Sequence, residues 1–143
     1  MGFRFKLERV RSYKASREKQ LKQQLGEAYR RQEEAKKHLQ YYRELRANSL
    51  LAEGAVEAEQ LLQGAACLEA LDRRIARQQE QLRLATQEVH KQRRKVQSAM
   101  QERKLLDRLR QNHLSAYRYQ QYSAEQKQLD EVAANIYLRR QAD

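Results

Sequence analysis

Proline is absent from the 143 residues, and glycine stands at only four places, Gly2, Gly26, Gly54 and Gly64. From residue 65 to residue 143 nothing punctuates a helix. Val, Ile and Thr are scarce, which leaves strands little support. A single cysteine, Cys67, excludes an intramolecular disulfide and is compatible with a reducing compartment. No apolar run reaches the roughly 18 residues that a membrane span requires. Residues 1–6 lack the apolar segment of a secretory signal, and Lys6 stands where a myristoylation pattern needs Ser or Thr. The expectation is a cytoplasmic protein.

The constellations of catalysis are missing as well. His38, His90 and His113 are far apart in a helical pattern, and there is no His-x3-His pair, Cys-x2-Cys pair or Glu-x2-His motif to hold a metal. No glycine-rich phosphate loop exists. Apolar residues are 40% of the chain but occur mostly singly or in pairs among charges, with no run longer than four, a pattern that buries a seam between helices and not a closed pocket. The chain is therefore read as a non-enzyme with no cofactor and no metal.

What is present is helical. Ala, Glu, Lys, Leu, Arg and Gln dominate, and they lose little rotamer freedom in a helix. Leu68, Ile75, Leu82, Val89 and Val96 recur every seven residues, with Leu71, Ala85 and Ala99 three residues after members of the series. These are the a and d positions of a heptad, with Gln78 and Gln92 at two d sites. Upstream, Phe3, Leu7 and Val10 form one apolar set, and Leu21, Leu25, Ala28, Ala35, Leu39 and Tyr42 a second. The spacing from Val10 to Leu21 reads as a stutter.

The fold expected is all-α: one domain over residues 1–143, a long two-helix antiparallel coiled-coil hairpin with an overhanging C-terminal helix. Helix 1 covers about 5–49, the turn about 50–57 and helix 2 about 58–140. Gly54 marks the turn, with Gly64 as a second candidate. Arg43 and Arg46 suit the end of helix 1, and Glu57 and Glu59 the start of helix 2. A turn at Gly54 places Tyr42 opposite Ala66, Leu39 opposite Leu68, Leu25 opposite Leu82, and Val10 opposite Val96 to Ala99. Helix 1 then reaches about Lys104. The stripe Leu106, Leu109, Tyr117, Leu129, Val132 and Ile136 overhangs as a candidate partner site.

The net charge of +11 is unevenly spread: residues 47–72 hold Glu53, Glu57, Glu59, Glu69 and Asp72 with no Lys or Arg. Lys91-Gln92-Arg93-Arg94-Lys95 and Tyr117-Arg118-Tyr119-Gln120-Gln121-Tyr122 have the composition of a nucleic-acid contact. A solvated coiled-coil flank with tyrosines at packing positions accounts for them better, because the basic cluster sits within the paired part of the hairpin and no recognised nucleic-acid fold accompanies it, so specific nucleic-acid binding is not expected. Tyr41 and Tyr42 stand shortly before the turn, and Tyr is a common interface anchor. Cys67 reads as a small hydrophobe beside the seam.

Three motifs carry a family resemblance: Phe3-x-Phe5-x-Leu7-Glu8-x-Val10, Glu102-Arg103-Lys104-x-Leu106-x-x-Leu109, and Tyr117 followed by Glu125-Gln126-Lys127-x-Leu129-Asp130-Glu131-x-Ala133. In order, spacing and chain length they resemble the bacterial flagellar export protein family FliJ. The resemblance implies a stalk-like hairpin of the flagellar type III export apparatus, similar to the two-helix stalk of a rotary ATPase. It implies association with the export ATPase FliI, its regulator FliH, the export gate FlhA and export chaperones. The location implied is cytoplasmic, peripheral to the inner membrane at the flagellar base. By position, gate contact falls to His38, Tyr42 and Leu45 with Cys67, Leu71, Arg74 and Gln78, and the exposed pair adds Tyr41. The overhanging stripe becomes the ATPase contact. The stalk of a virulence-type secretion system, a basic nucleic-acid-binding coiled coil and a generic scaffold remain the alternatives.

Overall fold

Strong helix formers without breakers give two helices, α1 over Glu8–Leu51 and α2 over Ala58–Ala142. The computed structural model describes residues 2–51 and 58–143, apart from the side chains of Leu50 and Leu51. No strand occurs among the described residues. The fold is all-α, two helices packed antiparallel as a coiled-coil hairpin. The turn expected at Gly54 lies outside the described residues, as do Glu53 and Glu57. Gly64 lies inside α2 and does not form the turn.

The chain divides into two compact units. In the unit Arg17–Ala99, the covered residues of α1 are Glu18, Leu21, Leu25, Ala28, Gln32, Ala35, Leu39, Tyr42, Arg46 and Ser49, with Gly26 beside them. They advance in alternating steps of three and four. On α2 the facing set is Leu68, Leu71, Ile75, Gln78, Leu82, Ala85, Val89, Gln92, Val96 and Ala99, the seven-residue series of the sequence. Ala28, Ala35 and Ala99 are small enough for the backbones to approach, and each is nearly fully buried. A buried Leu such as Leu21 or Leu39 contributes about 1.5–3 kcal/mol on leaving water. The seam also carries polar groups. Gln92 donates from Nε2 to Glu88 Oε1 at 2.9 Å, while its Oε1 and that of Gln78 accept no hydrogen bond among the described residues. Such a buried orphan costs about 1–3 kcal/mol.

The pairing register differs from the one a turn centred on Gly54 dictates. Gln32 Nε2 donates to Thr86 Oγ1 at 3.1 Å, Arg46 pairs with Asp72, and Arg74 lies over the ring of Tyr42. Leu25 therefore comes level with Gln92 instead of Leu82, and Leu39 with Gln78 instead of Leu68. The displacement is about ten residues of α2, nearly three turns. Arg46 serves this cross-helix pair and not the last turn of α1, which holds no basic residue.

The second unit comprises Met1–Ser16 and Met100–Asp143. Here Val10 is exposed, and the half-buried positions are Arg11 and Lys14. The next covered residue along α1 is Glu18, so the three-and-four stepping continues and the expected stutter is absent. Long charged side chains fill these seam positions with their aliphatic stems and place their heads on acids of α2. Arg11 Nε donates to Asp107 Oδ1 at 2.7 Å, and Lys14 Nζ to Glu102 Oε2 at 2.7 Å. The other oxygen of Asp107 accepts from Arg103 Nη1 at 2.8 Å. Ahead of α1, Phe5 is buried edge-on against His113, and Phe3 lies tilted against Tyr117, each with ring centroids 5.6 Å apart.

This N-terminal segment corrects the expected overhang. Pairing extends to Tyr117 and does not stop near Lys104, so Leu106, Leu109 and Tyr117 are half-buried. The stripe is also not one stripe. At about 100° per residue, Leu129 sits about 120° around the helix from Tyr117. Leu129, Val132 and Ile136 form a separate, exposed face.

Candidate partner-binding surface

In an antiparallel pair the residues flanking the seam on one side of α1 meet those flanking it on the same side of α2. His38 and Leu45 on α1 and Cys67 and Arg74 on α2 occupy such flanking positions. They share one edge of the unit Arg17–Ala99 with the seam residues Tyr42, Leu71 and Gln78. His38, Leu45, Cys67 and Arg74 are exposed, while Tyr42, Leu71 and Gln78 are half-buried. The corrected register is what brings Arg74 and Gln78 level with Tyr42 and Leu39.

The chemistry of this edge is aromatic and cationic. The Tyr41 and Tyr42 rings meet edge-to-face at 5.4 Å between centroids, and the Arg74 guanidinium stands 5.9 Å over Tyr42. Tyr41 remains 60% exposed and Leu45 38% exposed, so apolar surface is presented next to fixed charge. Tyr42, Arg74, Gln78, Arg77 and Gln81 line one open groove. A second, lined by Ala28, Arg31, Ala35, His38, Gln81, Leu84, Ala85 and Glu88 among others, shares Gln81 with it. Sequence reasoning missed Arg77, Gln81 and Leu84. Their signal was heptad position: Gln81 flanks the seam as Arg74 does one heptad earlier. It also missed Leu61 and Leu62 in the first turns of α2, which are 53% and 73% exposed.

The face of α2 with Leu129, Val132 and Ile136 is distinct from this edge and lies in the other unit. Tyr119, Tyr122 and Tyr137 are exposed on the same stretch of α2. Lys91, Arg93, Arg94 and Lys95 are all exposed around the buried Gln92, the arrangement of a solvated flank. Among the described residues no group of three or more His, Cys, Asp or Glu side chains is placed to hold a metal ion. No helix among them is long and apolar enough to cross a membrane.

Comparison with known proteins adds one match. The family model described as flagellar FliJ protein matches residues 3–142, nearly the whole chain. Neither the curated proteins nor the solved structures compared give a match.

Proposed function

Because this chain belongs to the flagellar FliJ protein family, we propose that it is a stalk-like coupling component of the flagellar type III export apparatus. Its partners in this reading are the export ATPase FliI with its regulator FliH at one surface, and the export gate FlhA at another, with export chaperones as further ligands. Its contribution is mechanical and allosteric, without chemistry of its own, and its place is the cytoplasmic side of the inner membrane. The observation that carries the reading is the family match along both helices of the hairpin.

The gate contact is assigned to the edge that holds His38, Tyr41, Tyr42, Leu45, Cys67, Leu71, Arg74 and Gln78. Aromatic rings held by neighbours lose little freedom on binding, and an Arg beside them adds directionality. Replacing Tyr41, Tyr42 and Leu71 together by Ala is expected to weaken gate binding at least about tenfold and to reduce motility. Helicity should change little, because Tyr41 is exposed and the other two are half-buried. Unaltered gate affinity, measured by calorimetry, would remove the assignment.

The ATPase contact is assigned to the stripe proposed from sequence, and the corrected geometry narrows its accessible part to Leu129, Val132 and Ile136. Leu106, Leu109 and Tyr117 are already half-buried, Tyr117 against Phe3. The double change Leu129→Asp with Val132→Asp is expected to abolish stimulation of the ATPase. Full stimulation would move that contact to the paired stem.

A further inference from the structure

Residues 118–143 are balanced in charge within a strongly basic chain: Arg118, Lys127, Arg139 and Arg140 against Glu125, Asp130, Glu131 and Asp143. From residue 124 onward every side chain is exposed. At about 100° per residue, Tyr122, Leu129, Val132 and Ile136 fall within a sector of about 80°. Gln120, Lys127 and Glu131 occupy the opposite side. Within this sector Glu125 stands just before the run Leu129, Val132 and Ile136, and Arg140 just after it, with Arg139 at the margin; Arg118 and Tyr122 lie beyond Glu125, and Asp143 beyond Arg140. Glu125, Arg139 and Arg140 make no ion pair among the described residues, whereas Arg11, Lys14 and Arg46 elsewhere on the hairpin do.

A helical face with an acid just before its apolar residues and a base just after them is complementary to itself when reversed. We propose that this face pairs with the same face of a second copy of the chain, the two helices running antiparallel. Aligning Leu129 with Ile136 of the second copy brings Val132 beside Ala133 and Glu125 beside Arg140. By two-fold symmetry every contact occurs twice. The balanced charge of the segment explains why a second copy fits here. Elsewhere two chains of net charge +11 repel, and over this stretch they do not. The self-paired state covers the exposed part of the assigned ATPase surface, so dissociation of the two copies would precede engagement there. The pairing itself does not depend on that assignment.

Sedimentation of the isolated full-length chain over a wide concentration series tests the proposal without any other protein. A monomer–dimer equilibrium is expected, and Leu129→Asp with Ile136→Asp should weaken it by at least about tenfold. A charge-pair series guards against mere loss of helix. Glu125→Arg alone, and Arg139→Glu with Arg140→Glu alone, should each weaken association roughly three- to tenfold at low salt. An equimolar mixture of the two variants should associate as tightly as the unaltered chain, because both ion pairs are restored between unlike copies. A chain that stays monomeric throughout overturns the proposal. So does Glu125→Arg associating like the unaltered chain, the result a parallel pair would give. A mixture no tighter than its components overturns it as well.

Discussion

Asp107 takes a hydrogen bond on each carboxylate oxygen, from Arg11 across the seam and from Arg103 one turn earlier on α2. The Arg11 hydrogen bond is the main cause that holds its carboxyl below the ordinary aspartate value of 3.8. Burial opposes it, and the charges of Arg11 and Arg103 add to it. A depressed carboxylate contributes stability above its unfolded pKa and loses it as the pH falls through the folded one. The loss is therefore confined to the acid limb below about pH 4. Asp107→Asn should flatten that limb in a pH series of thermal melts. At neutral pH it should cost about 0.5–1 kcal/mol, since the pair is about one-third exposed. A melting curve with an unchanged acid limb would show that the pair adds nothing. Arg11 was invisible as a seam residue in the sequence. A charged side chain at a seam position looks like a gap in apolar periodicity, and a gap of this length has the spacing of a stutter.

The course of α2 was legible because its seven-residue series runs without a break through a stretch free of Gly and Pro. The all-α hairpin followed from it. The register did not, for two reasons. Gly54 attracted the centre of the pairing, and apolar positions spaced by three and four match at several offsets. The offset centred on Gly54 sets Leu25 opposite Leu82, positions equivalent in their heptads. When one helix is reversed the order of steps reverses too, so an a position must meet a d position, as Leu25 meets Gln92. The candidate edge was partly legible for the same reason: its α1 half and its α2 half were each identified, while the offset hid which residues face each other. Spin labels at His38 and Gln81, on the same edge of the seam, should lie close together in the observed register. Labels at His38 and Cys67, also on that edge, should be about 18 Å further apart along the axis, at about 1.5 Å per residue. Dipolar distances in the opposite order would restore the register centred on Gly54.

At the scale of the whole molecule the charge of +11 is the property most easily misread. A basic chain with interleaved tyrosines has the composition of a nucleic-acid binder. Yet Lys91, Arg93, Arg94 and Lys95 point outward around Gln92, and Tyr117 packs on Phe3. Binding to RNA or DNA should be weak and nonspecific, falling steeply between low and physiological salt as counterion release loses its advantage. Sequence-selective binding in fluorescence anisotropy at physiological salt would reverse this reading. The alternation of three and four along the seam carries a different consequence, one of permissible chain lengths. Removing a single residue from either helix rotates everything beyond it out of the seam. Removing one heptad from α1 alone leaves every later pair mismatched in height. Only matched removal or insertion, about seven residues in each helix at the same level, returns both helices to phase. Viable variants of this hairpin should accordingly grow or shrink in increments of about fourteen residues.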